Sequence, residues 1–427
     1  MTTAVTAADS VAAVVVGPAR RADLQISGRY LSDDTPVHLV RDPVTDRSFE
    51  IGVKEHFVLT RLDGTTSREE IAVAYGRRFG RMLGPAAWQQ LLGLLAARGL
   101  LEGGPAPAAE PPAAGRRKLF GGSIRLFSDA AATTGRLHRF FGFMFHGWFL
   151  VPAFVAIGLM LAGVVWQWPA LAADTATVYA NPVALAAVAT ALWVTMGLHE
   201  LGHGVVAHRF GGTVGEIGIR WQLPMVVTYC RVDDYLFLRT RRQQVATASA
   251  GIVVNLLLLL PVLPLWLLLP EREPTRALLG ALMLLGLAQA ALFLLPLPPL
   301  DGYKMLAYSL GMLRYADGSR RFAGRALAAL FGRGPGLAGY PRSARIAYSG
   351  YALGAAALIV GIVTVVAVIA HRVASAHFGP VAGAVSAGLA VLIGVAFLLP
   401  RKPFASPGKP DASPRKPAGG RRGEVQP

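Results

Sequence analysis

His199-Glu200-Leu201-Gly202-His203 gathers three groups capable of metal chemistry into one short stretch. On an α-helix, positions i and i+4 lie on one face about a turn apart, so the two imidazoles can share one ion. Glu200, one step round, can reach a water on that ion without being a ligand. Two imidazoles and a free carboxylate at this spacing suit metal-assisted hydrolysis, with Glu200 as general base. The same pattern also occurs on ordinary helices, where the histidines are solvated. Here it follows directly on the apolar run from Pro182 to Leu198, and ionisable groups at membrane depth are costly and usually functional. The rest of the chain must then supply a third ligand.

The elements that position the motif are read from hydropathy and charge. The chain has 427 residues, is 53% hydrophobic, and carries a formal net charge of +17. That combination suits a multi-span membrane protein whose basic loops face anionic lipid. Nucleic acid is not an expected partner, because there is no zinc finger, no RNA-recognition aromatic pattern, and no basic helix apart from those flanking the apolar runs. Cys230 is the sole cysteine, which excludes an intrachain disulfide and a thiolate zinc site. Val11 to Val16 is too short an apolar stretch for a signal peptide.

Six spans are expected, at about 140–166, 182–207, 243–270, 276–300, 346–370 and 378–400. Arg and Lys concentrate before the first span, after the second, and between the fourth and fifth, which puts both termini and the long loops in the cytoplasm. The second and fourth spans then both run inward. Their ends, carrying His203 and Leu300-Asp301-Gly302, fall on the same side. Asp301 can thus complete a His199, His203, Asp301 set with the fourth position open to water, as a catalytic Zn2+ requires. Pro296, Pro298 and Pro299 would end the fourth helix, and Gly302 would allow a sharp turn that aims the carboxylate. The plainer alternative for Asp301 is a helix-terminating surface residue. His146, in the first span, reads as a hydrogen-bonded core histidine, and Cys230 as inert.

The expected fold class is mainly α, a polytopic membrane helical bundle with a small N-terminal winged-helix-like α+β domain in the cytoplasm. Residues 1–21 read as a disordered start, 22–104 as the small domain, 105–139 as a linker and basic juxtamembrane segment, 140–400 as the membrane body, and 401–427 as a disordered basic tail. In the small domain, Val37 to Val40 and Ser48 to Ile51 read as two strands, followed by three helices. Thr66 or Ser67 caps the second helix. The basic run 116–139 either lies along the membrane surface or merely flanks the first span. Val214 to Tyr229 alternates enough for a hairpin that could present a substrate as an added strand.

His199-Glu200-x-x-His203, Asn255 in Ala250-Gly251-Ile252-Val253-Val254-Asn255, and Leu300-Asp301-Gly302 together resemble the three marks of the site-2 protease family of intramembrane zinc metalloproteases. Asp301-Gly302-Tyr303 makes the likeness closest to the bacterial peptide zinc metalloprotease branch, associated with peptide natural products. The resemblance implies Zn2+ on His199, His203 and Asp301, Glu200 as catalytic base, and Asn255 near the substrate or oxyanion. An interhelical hydrogen bond is the alternative role for Asn255. Two departures stand out. Many members have Asn before the prolines of the third-ligand motif, where this chain has Phe293-Leu294-Leu295, and Ile252 replaces a frequent Pro. The small domain resembles PqqD-like domains, which capture leader peptides. A regulatory domain without ligand and a DNA-reading winged helix are its other readings.

The function implied is hydrolysis of a peptide bond in a peptide precursor or transmembrane substrate near the cytoplasmic leaflet, in maturation or export of a ribosomally made peptide beside an exporter. The protein would be a bacterial cell-membrane protein, with the lipid bilayer as its surroundings. The alternatives are anti-sigma-factor cleavage in signalling and a non-proteolytic export or immunity scaffold. The retained Glu200 argues against the last.

Overall fold

The computed structural model describes residues 18–103, 121–127, 129–222, 225–333 and 336–398. The tail, residues 1–17 of the expected start, and residues 105–120 and 128 of the expected linker and juxtamembrane segment lie outside the described residues. The chain divides into two compact units, Met1–Ala352 and Leu353–Pro427.

The first unit opens with a sheet of β1 (Gln25–Ile26), β2 (Tyr30–Ser32), β3 (Thr35–Asp42) and β4 (Arg47–Gly52), in which β3 pairs antiparallel with each of the others. Only β3 and β4 were legible as alternation. β1 and β2 span two and three residues, too few to carry a period. Three helices follow, as expected: α1 (Val53–Leu59), α2 (Arg68–Phe79) and α3 (Pro85–Ala97). Ser67 starts α2 through a capping box, its hydroxyl accepting from Glu70 N while the Glu70 carboxylate accepts from Ser67 N. Val40, Ile51, Leu59, Ile71, Trp88 and Leu95 close the core between helices and sheet.

This small domain is seated on later parts of the same unit. Leu31 exchanges backbone hydrogen bonds with Gly311 and Leu313, both at 2.9 Å. The buried Tyr30 hydroxyl donates to the Leu236 carbonyl at 2.9 Å and accepts from Gln244 Nε2 at 2.6 Å. Arg41 pairs with the buried Asp234.

Next come β5 (Gly121–Arg125) and α4 (Ala130–Phe141, capped by Asp129). The basic segment is therefore not a single surface-lying stretch, because residues 121–125 pair with a strand that comes a hundred residues later. α5 (Gly147–Trp166) is joined through α6 (Trp168–Tyr179) to α7 (Pro182–Arg209). The expected hairpin is present as β6 (Val214–Gln222) and β7 (Met225–Val232), giving a sheet of order β5-β6-β7. α8 (Arg241–Leu259) and α9 (Val262–Leu268) are parted at Pro261. α10 (Pro274–Leu294), α11 (Asp301–Leu310) and α12 (Tyr315–Leu330) follow. α13 (Arg342–Phe378) runs through the boundary between the units, and α14 (Pro380–Leu398) completes the second. Within that second unit the chain reverses at Gly379, with φ of 88°, and the Ser386 hydroxyl donates to the Ala370 carbonyl at 3.1 Å.

Among the described residues, five helices are long and apolar enough to cross a membrane: Gly147–Trp166, Pro182–Arg209, Arg241–Leu268, Pro274–Leu294 and Arg342–Phe378. These fit a membrane protein. The expected sixth span falls on α14, whose apolar stretch Pro380–Val395 is shorter. The first span begins later than expected, because residues 142–145 form a 3-10 turn after α4. The fourth ends at Leu294 rather than near 300, since three prolines in the next five residues cannot donate to a helix.

Ser67→Ala removes the α2 cap at a cost of about 1 kcal/mol. Hydrogen exchange at the first-turn amides of α2 should quicken about fivefold in the full chain, with α3 as internal reference. An unchanged rate would show that the cap contributes nothing.

Candidate metal centre

α7 starts where Asn181 accepts from Val183 N and Ala184 N and Pro182 occupies the first turn. Its far end carries His199 and His203, 0% and 3% exposed. Gly202 lies between them and packs against α8, where an added Cβ would come 2.8 Å from Val254 Cγ2 and 3.4 Å from the Ala250 carbonyl. Small residues at this crossing let the two helices approach closely. Gly251 of α8 faces His199 so tightly that a Cβ there would stand 2.5 Å from both Cδ2 and Cε1 of the imidazole.

Asp301 completes the group from the first turn of α11. It does not reach the site through a sharp turn at Gly302, as expected from sequence. Gly302 is helical, and its missing side chain is needed because a Cβ would run into the Leu294 carbonyl at the end of α10. Asp301 Oδ2 lies 2.9 Å from His199 Nε2 and 3.2 Å from His203 Nε2, and those two nitrogens are 3.2 Å apart. Lys304 Nζ holds the other oxygen, Oδ1, at 2.8 Å. Burial opposes ionisation of Asp301, but the hydrogen bonds to His199 and His203 and the charge of Lys304 outweigh it. Its carboxyl stays well below the usual range.

His203 Nδ1 is 2.8 Å from the Thr247 carbonyl. A carbonyl only accepts, so Nδ1 carries a proton, and Nε2 faces Asp301 either as a lone pair or, on a protonated ring, as a donor. Two ring nitrogens and a carboxylate oxygen converge in a buried space, and His199 Nδ1 has no hydrogen-bond partner among the described residues, so no contact fixes the tautomer of that ring. Such a cluster is favourable only with a proton or a metal cation among its members. His199, Glu200 and His203 each offer a ligand atom within 4.8 Å of one another, a group able to hold a metal ion. Asp301 Oδ2 sits nearer to both imidazoles than that limit.

Glu200 is turned differently. Its Oε2 accepts from Cys230 N of β7 at 3.1 Å, which ties the carboxylate to the hairpin. Burial, with Glu200 beside it, pushes the Cys230 thiol up to about 12, so it stays protonated at neutral pH. Asn255, one turn beyond Gly251 on the same face of α8, is 3% exposed. Among the described residues neither of its amide atoms has a hydrogen-bond partner, so the interhelical bond considered from sequence is not made. An orphaned buried polar group costs about 1–3 kcal/mol, and this one is left for a ligand or water.

His146 is exposed at the head of α5, not a core residue. Sequence reasoning missed Lys304, Phe293 and Tyr235. Phe293 packs its ring on His199 with centroids 4.5 Å apart. The Tyr235 hydroxyl donates to the Thr247 carbonyl at 3.3 Å and lies 3.4 Å from His203 Nδ1. Burial, with Tyr308 nearby, raises its ionisation well above the ordinary range, so it remains a donor. Lys304 alone had a readable signal, one helical turn after Asp301.

No known protein family, no curated protein and no solved structure matches this chain.

Gly251→Ala pushes a methyl into the fully buried His199 ring, which has no room to withdraw. Overpacking of this kind costs about 1–3 kcal/mol. Bound metal per purified chain should fall to less than about half that of wild type. Gly93→Ala, where nothing lies within 4 Å, should leave it unchanged. Equal metal content in both variants would refute the contact.

Proposed function

We propose that this chain is a membrane-embedded zinc endopeptidase of the site-2 protease kind. The observation that carries the reading is the convergence of His199 Nε2, His203 Nε2 and Asp301 Oδ2 within 2.9–3.2 Å, with the Glu200 carboxylate beside them and bound to none of them. Two imidazoles and one carboxylate are a catalytic zinc donor set. At bond lengths of about 2.0–2.1 Å, tetrahedral ligands stand about 3.3–3.4 Å apart, within a few tenths of an ångström of the spacing seen. Zinc held there supplies Lewis acidity and lowers the pKa of a bound water toward about 7.

The chain's own groups do the rest. Glu200 takes the proton of the attacking water and returns it to the leaving amine. The amide from Cys230 keeps that carboxylate oriented between the two transfers. Asn255 offers its unpaired amide to the substrate or to the developing oxyanion. The backbone for recognition lies in β7. Its one strand partner among the described residues is β6. Its other edge meets side chains of α7, with Trp193 Nε1 donating to the Val226 carbonyl at 3.1 Å and Glu200 accepting from Cys230. A substrate extended along the part of that edge not held by Trp193 and Glu200 would bring a peptide group to Glu200. Unwinding a transmembrane segment into a strand also exposes its peptide bonds to attack.

The small domain suits a peptide precursor. Among the described residues β4 has one strand partner, β3, and Arg98 donates to the Glu50 carbonyl along it. A leader peptide could add there, as in PqqD-like domains. The inward ends of the second and fourth spans would place the cut near the cytoplasmic leaflet of a bacterial membrane, with both termini cytoplasmic.

The test uses wild type and Glu200→Gln, purified in detergent, with zinc per chain measured beside cleavage of a transmembrane reporter peptide. Zinc near one per chain is expected in both, with cleavage at least about 100-fold slower in the variant. Well-folded wild type without zinc, or a variant that cleaves as fast as wild type, would overturn the assignment.

A further inference from the structure

A cavity of about 960 Å3 lies apart from the metal centre, where α4 ends, α5 begins and α7 ends. Its walls carry Arg136, His138 and Arg139 from α4, His146 at the head of α5, and His208 and Arg209 from α7. No Asp or Glu lines it. Among the described residues none of the three arginines has an ion pair or a hydrogen bond.

Two ordinary causes account for part of this. Basic residues flank membrane spans, and cations suit helix C-termini, where His138, Arg139, His208 and Arg209 sit. Neither cause explains why the groups face one concave wall. Like charges gathered there repel each other, and a bound anion relieves that repulsion.

One further feature indicates a ligand: His138 Nδ1 is buried without a hydrogen-bond partner among the described residues. Gly135 leaves its part of the wall without a side chain, opposite His208. α5 begins at His146 without a side-chain cap. Burial, with His208 and Arg209 close by, pushes His138 below the ordinary histidine range, so the fixed positive charge at neutral pH comes from the arginines.

Position selects the class of anion. α5 and α7 are both long and apolar enough to cross a membrane, and the cavity lies where their ends meet. Phe140 and Trp148 stand 73% and 67% exposed beside it. Exposed aromatics next to unpaired basic groups mark the headgroup layer of a bilayer. We propose that this cavity binds a phosphate group, presented at the membrane surface by an anionic phospholipid. Guanidinium forks and imidazole N–H groups match phosphate oxygens, whether these are esterified in a lipid or free in solution. The assignment does not depend on the zinc chemistry.

The test is equilibrium binding to the full chain, delipidated in a neutral detergent. Phosphatidylglycerol is titrated against phosphatidylcholine, then challenged with sodium phosphate. Phosphatidylglycerol should bind in clear preference. Arg136→Gln, Arg139→Gln and Arg209→Gln combined should weaken it about 100-fold. The charge-matched control Arg77→Gln, Arg78→Gln and Arg81→Gln should bind as wild type. Gly135→Leu, which fills the cavity without altering charge, should also weaken binding and serves if the triple variant does not fold. Displacement by millimolar sodium phosphate would assign the site to free phosphate, and resistance to it would assign the site to lipid. Equal binding of the two lipids, wild-type binding by the folded cavity variants, or an equal loss in the control would overturn the proposal.

Discussion

The convergence of two imidazole nitrogens and a carboxylate oxygen in a buried space is the constraint on which the rest of this structure depends. His199 Nε2, His203 Nε2 and Asp301 Oδ2 would repel if all three were bare, and the surroundings give them no retreat. Thr247 fixes the tautomer of His203, Phe293 covers His199, and Lys304 restrains the spare oxygen of Asp301. A proton or a metal cation resolves the conflict, and each of these contacts restrains the groups that would share it. The arrangement is able to hold a metal ion.

Helix crossing follows from the same requirement. The donors come from α7 and α11, and α8 must pass close enough to buttress both. Gly202 and Gly251 permit that approach, one on each side of the α7–α8 contact. Gly302 does the same for α11 against the end of α10. Glycine in a helix costs roughly 0.5–1 kcal/mol relative to alanine. That sacrifice recurs at the places where a side chain would separate the donors from their supports.

The grouping of His199 and His203 was legible because helical spacing alone puts them on one face. Asp301 was legible at one remove, through the direction of the spans. Gly251 and Gly302 could be noticed as residues but not understood, because their role is a distance to a partner far away in the chain. β5 was invisible for the same reason, since its pairing with β6 spans about a hundred residues and leaves no local period. β1 and β2 were too short to show one. Where the signal was local, as in the α2 capping box or the prolines after α10, sequence and structure agree to within a few residues.

The segment Asp234–Leu238 shows how far the small domain reaches. Arg41 pairs with Asp234, Tyr30 donates to the Leu236 carbonyl, and Tyr235 between them touches both His203 and the carbonyl that orients it. Gln244 of α8 closes the loop by donating to Tyr30 and to the Leu238 carbonyl. Spatial continuity of this kind does not by itself transmit a signal, because no second arrangement of the segment is present to switch to. What it supplies is rigidity. Among the described residues the small domain reaches His203 by holding Tyr235 and Thr247 still, through the Arg41–Asp234 ion pair and the hydrogen bonds of Tyr30, so its contribution to the centre is positional.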